Sequence, residues 1–73
     1  LHLLARIAHE AGDVADAIHL EREAVALFRA GAAPMDGVLS LHHLGELLRL
    51  VGREDEGQAM LDEAASRVSA RLD

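Results

Sequence analysis

The side chains best suited to chemistry are five histidines and a set of carboxylates spread over 73 residues that contain no cysteine. Imidazoles bind metal when two or more share one helix face, as in an i, i+4 pair. His42 and His43 are adjacent, so on a helix they point about 100 degrees apart and do not chelate one ion together. His2 and His9 lie two turns apart, beyond an i, i+4 clamp. The nearby carboxylates fall into no recognised ligand spacing, so the expectation is no metal and no cofactor. Nucleophilic catalysis needs a base and an orienting acid around a serine or cysteine. Ser40 and His43 form an i, i+3 pair, but Ser40, Ser66 and Ser69 sit in helical stretches with no such constellation, and there is no glycine-rich phosphate loop. No catalytic residue is expected. Glu54-Asp55-Glu56 and Asp62-Glu63 read as helix-start charge and a solvated face.

What positions these residues is a repeat. Shifted by about 40 residues, the chain falls on itself: Gly12 meets Gly52, Leu1-His2 meets Leu41-His42, Leu4 meets Leu44, and Glu23-Ala24 meets Glu63-Ala64. Small residues coincide at Ala5/Gly45 and Ala17/Gly57. Apolar ones coincide at Ile7/Leu47, Ala11/Val51, Leu20/Met60 and Phe28/Val68. A fixed period of this size marks a repeat whose units bury their apolar faces against their neighbours.

Each unit reads as a helical hairpin. Residues 1–11 place Leu4, Ile7, Ala8 and Ala11 at the spacing of one buried stripe. Gly12 ends this helix, and Asp13 caps the next with Asp16 in its first turn. The second helix, about Val14 to Ala30, should bury Ala17, Leu20, Ala24, Leu27 and Phe28 before Gly31-Ala32-Ala33-Pro34 breaks it. The third, from about Met35 or Asp36 to Val51, carries Val38, Leu41, Leu44, Gly45 and Leu48 on one face, widened by Leu47 and Val51. Gly52 closes it. In the fourth, Gly57, Leu61, Ala64, Val68 and Leu72 form the packing stripe. The expected fold is all-α: two tandem hairpins, residues 1–33 and 34–73, stacked as a short solenoid in one domain.

Composition narrows the function. Seven basic residues stand against thirteen acidic ones, a formal charge of −6, and the basic residues are scattered. Phosphate binding needs a basic footprint, so nucleic acid is not expected as a partner. No apolar run approaches the roughly 20 residues of a membrane span, and no signal peptide opens the chain. The lack of cysteine suits a cytoplasmic location. A chain this short buries a modest share of its surface, so we read it as a piece of a longer array or as a self-associating element.

In the second unit, Leu41-x-x-Leu44-Gly45-x-x-Leu48-x-x-x-Gly52 followed by Gly57, Leu61 and Ala64 resembles the tetratricopeptide repeat. The first unit is similar through Leu1, Leu4-Ala5, Ala8, Gly12, Ala17 and Ala24. Small residues at the Ala5/Gly45, Ala17/Gly57 and Ala24/Ala64 positions let two helices approach closely. The first unit departs from the pattern at Ala8 and Glu21, where a large aromatic is usual, and Arg29 and Ser69 replace the closing proline. The period exceeds the usual length of about 34 residues and resembles the longer tetratricopeptide repeats of bacterial signalling regulators and peptide-binding adaptors.

The resemblance implies that the first helix of each hairpin lines a concave groove. Register then places His2, Arg6, His9 and Glu10 from the first unit there, with Leu39, His42, Glu46, Arg49 and Leu50 from the second. Such a groove could hydrogen-bond an extended peptide and pair with its carboxylates through arginine. The implied function is protein interaction and scaffolding, with a protein or peptide partner. Two alternatives are a sensor segment of a larger bacterial signalling or transcription regulator, and a homo-oligomer formed through exposed repeat ends such as Leu1, Leu3 and Leu72.

Overall fold

A computed structural model describes residues 1–32 and 37–72, with side chains as far as Ser69. Its elements are α1 (His2–Glu10), α2 (Val14–Arg29), α3 (Gly37–Leu50) and α4 (Glu54–Leu72). The described residues form four helices joined by turns, without a strand, as expected. Ala33, Pro34 and the expected start of the third helix at Met35 or Asp36 lie outside the described residues, as does the side chain of Leu72. No described helix is long and apolar enough to cross a membrane.

The helix ends repeat as closely as the sequence does. Gly12 and Gly52 have φ of 87° and 86°, a region open to glycine without a Cβ penalty. The Gly12 N–H donates to the His9 carbonyl and the Asp13 N–H to that of Ala8, both at 2.9 Å. Gly52 and Arg53 donate in the same way to Arg49 and Leu48, at 3.1 and 2.8 Å. This double bond pair satisfies carbonyls that a helix end leaves open. The Asp16 N–H donates to Asp13 Oδ1 at 3.1 Å, which caps α2.

Each helix packs on the next in chain order, α1 on α2, α2 on α3 and α3 on α4. The core therefore centres on α3. Leu41, Leu44 and Leu48 meet Val25 of α2 and Ala64 of α4, with Ile18, Phe28, Val38 and Met60 around them. At the start of α3 the Phe28 ring fills the space a Cβ on Gly37 would take. The guanidinium of Arg67 lies 4.6 Å above the centre of that ring, a cation–π geometry.

Several positions expected to be inside are not. Leu4 and Ile7 are 54 % and 55 % exposed, and Ala11 is exposed too. α1 has α2 as its main neighbour and turns Ala5 toward it, leaving Leu4 and Ile7 uncovered on the other side. Leu27 is 44 % exposed as well. Val51 sits beyond the last turn of α3, and Val68 faces an uncovered cleft between α3 and α4; both are exposed.

Close approach of α3 and α4 depends on two glycines. A Cβ on Gly45 would stand 2.8 Å from the Gly57 carbonyl oxygen, and one on Gly57 would stand 2.7 Å from the Gly45 carbonyl oxygen. Both contacts are to backbone, so only separation of the helices relieves them. Gly45→Ala is expected to destabilise by about 1–3 kcal/mol, even though alanine gains about 1 kcal/mol in helix propensity. Denaturant unfolding checks this, and a stabilised variant would show that the helices are less tightly apposed.

Two ion pairs tie α2 to α4 across the hairpins: Arg22 to Glu56 at 2.9 Å and Arg29 to Glu63 at 2.5 Å. They recur every two turns on both helices. The hydrogen bond from Arg22 holds the Glu56 carboxyl below its ordinary range, and those from Arg29 and then Arg67 do the same for Glu63. A depressed folded-state value means the contribution is complete above the unfolded carboxylate value of about 4.3. It is lost as pH falls through the lower folded value. Thermal unfolding from pH 7 down to 3 should show stability falling through the acid range, less steeply in Glu63→Gln. Exposure and salt screening keep the effect small.

Candidate functional site

The residues that register assigns to a groove come together in space. His2, Arg6 and His9, with Glu10, project from α1, and Leu39, His42 and Glu46 project from α3, around one concavity of about 300 Å³. Arg49 lines an adjoining concavity of about 410 Å³ with His9, Glu46, Leu50 and Glu54. The rim carries local ion pairs. His42 Nδ1 is 3.2 Å from Glu46 Oε1, and Arg49 Nε donates to Glu54 Oε2 at 3.2 Å. Arg6 is exposed and makes no ion pair among the described residues.

Beneath the rim is a polar centre. Glu21 of α2 has no exposed surface. Its Oε2 lies 2.7 Å from His2 Nδ1 and 2.6 Å from His43 Nδ1. A carboxylate offers no proton, so each Nδ1 carries the hydrogen and donates. In the neutral tautomer of His43 with its hydrogen on Nδ1, Nε2 accepts, and His9 Nδ1 donates to it at 3.0 Å. The His2 and His9 rings stand 5.7 and 5.2 Å from that of His43. Glu21 Oε1 is buried without a partner among the described residues. The network joins α1, α2 and α3, so both hairpins contribute to it.

Reasoning along single helices misses this centre. His42 and His43 do diverge, His42 to the rim and His43 inward, and the cluster arises because His43 meets residues of two other helices. The usable signal is Glu21, which register equates with the apolar Leu61 and which falls on the inward face of α2. A carboxylate there needs donors, and histidines on the flanking helices can supply them. Ser40 is buried, but its Oγ has no partner among the described residues, so the Ser40–His43 pair is not a bonded dyad. The arrangement can hold a ligand by hydrogen bonds and charge, or hold a cation. Comparison of the chain with protein families, with curated proteins and with solved structures gave no match.

Proposed function

We propose that the chain is an interaction module of the tetratricopeptide kind, which holds an extended peptide segment in the groove between α1 and α3. The observation that carries this reading is that residues placed on two helices by a 40-residue register line one concavity, where Arg6 makes no ion pair among the described residues. Arg6 offers a planar donor fork for a peptide carboxylate. The imidazoles and Glu46 offer partners for backbone and cationic groups, and Leu39 supplies an apolar contact. Selection from a displayed peptide library should enrich sequences bearing a carboxylate at one fixed position. Arg6→Ala combined with Arg49→Ala should weaken the selected peptide at least tenfold with helicity unchanged. No enrichment, or equal binding by the variant, would remove the groove reading.

A second reading, end-to-end assembly, has its own observation. Val38, Leu39, Leu61, Ala64, Ala65 and Val68 line a cleft of about 720 Å³ on the uncovered side of α3 and α4. Moved back by the repeat, Leu61, Ala64, Ala65 and Val68 become Glu21, Ala24, Val25 and Phe28 of α2. Three of these, Glu21, Val25 and Phe28, meet α3. The cleft thus copies the seat that α3 occupies. The exposed Leu1, Leu4 and Ile7 of α1 register with the buried Leu41, Leu44 and Leu47, so α1 of a second chain has the side chains for that seat. A head-to-tail contact of this kind does not close on itself. Sedimentation should show mass rising with concentration in the native chain and not in Ile7→Lys. A native monomer at the highest concentration would remove this reading.

A further inference from the structure

We propose that His2, Glu21 and His43 form a binding site for one divalent first-row transition ion, of which Zn²⁺ is the best-suited member. Their donor atoms all lie within 4.8 Å of one another, and each comes from a different helix. Two imidazoles and one carboxylate are the ligand types that zinc and its neighbours prefer, with a further position left for water or another donor. Calcium and magnesium favour all-oxygen shells and are not served by this set.

The burial of Glu21 gives the second argument. A carboxylate removed from water is stabilised by strong pairing or by a cation. Here Oε2 receives two hydrogen bonds while Oε1, equally buried, has no partner among the described residues. A metal ion bound by the carboxylate would neutralise the buried charge that these two hydrogen bonds now carry alone.

The geometry is close to what an ion needs. Nitrogen and oxygen ligands about 2.0–2.1 Å from a tetrahedral ion stand about 3.3 Å apart, against the present 2.7 and 2.6 Å. His2 Nδ1 and His43 Nδ1 therefore have to withdraw from Oε2 by about 0.6 and about 0.7 Å. His2 and His43 border the groove, which gives them room to move.

Proton placement balances without loss of charge. For Nδ1 to bind metal, the neutral His2 and His43 rings move their protons to Nε2, and His9 moves its own from Nδ1 to Nε2. His43 Nε2–H then donates to His9 Nδ1, reversing the existing 3.0 Å bond. His9 thereby becomes a positioning residue that fixes the tautomer of a ligand, the usual role of a group hydrogen-bonded behind a metal-bound histidine. An ion here would fasten α1, α2 and α3 together, and because the unfolded chain has no such site, binding would raise stability. The inference is independent of the peptide reading.

The test uses the full chain and the metals alone. Titration with Co²⁺ should give visible absorption saturating at one ion per chain, displaced by Zn²⁺, and added Zn²⁺ should raise Tm. Glu21→Gln and His2→Ala should each weaken binding a hundredfold or more. A variant lacking His19, which pairs with Glu23 on the surface, should bind as the native chain does. Nitrogen-15 shifts of the native chain identify the metal-bound ring nitrogens even where a variant folds poorly. Shifts at Nδ1 of His2 and His43 support the site. Absence of binding by the native chain, or ligation at His19 or His42 instead, overturns it.

Discussion

His43→Ala is expected to lower the stability of the metal-free chain by about 2–4 kcal/mol, and adding Glu21→Leu in the same chain should recover most of that loss. His43 donates one of the two hydrogen bonds that Glu21 receives, at 2.6 Å, and Glu21 has no exposed surface. Breaking a buried charged pair by removing one partner typically costs about 3–5 kcal/mol, because the remaining group stays buried and under-satisfied. Water entering from the adjoining groove lowers the figure here. Leucine at position 21 removes the charge altogether and reproduces the residue that register places at position 61. The two substitutions should therefore be strongly non-additive in a double-mutant cycle followed by denaturant unfolding. Additive losses would mean that His43 and Glu21 do not depend on each other.

Leu44→Ala should cost about 2–5 kcal/mol, while Leu4→Ala, at the equivalent place in the first unit, should change stability by less than about 0.5 kcal/mol. Leu44 is 1 % exposed and sits in the core between α2 and α4, whereas Leu4 is 54 % exposed on the uncovered side of α1. For a chain of 73 residues, the usual stability per residue amounts to about 4–11 kcal/mol. The first substitution thus removes a large part of it and the second almost none. Thermal or denaturant unfolding, at a concentration where the chain is monomeric, compares the two. Equal losses would show that α1 buries Leu4 against something, as the end-to-end reading allows for an associated chain.

The same pair of leucines shows how far the sequence could be read. The period of 40, the glycines at 12 and 52 and the Asp13 cap identify four helices and their ends, because turn chemistry and periodicity are local. Which apolar face is covered is not local. Leu4 and Leu44 have the same pattern around them, and their burial differs because α3 has a helix on each side and α1 does not. The groove residues were legible because register assigns them to equivalent faces of α1 and α3. The polar centre below them was not, because His2, Glu21 and His43 belong to three helices and meet only once those helices are packed.

The groove is the centre of the functional account, and mapping it by NMR tests that most directly. A peptide selected for its carboxylate is titrated into ¹⁵N-labelled chain and the backbone amide shifts are followed. The account predicts saturable changes concentrated at Arg6, His9, Leu39, His42 and Glu46. Changes concentrated instead at Ala65 and Val68 of the outer cleft, or no saturable change at all, would contradict it.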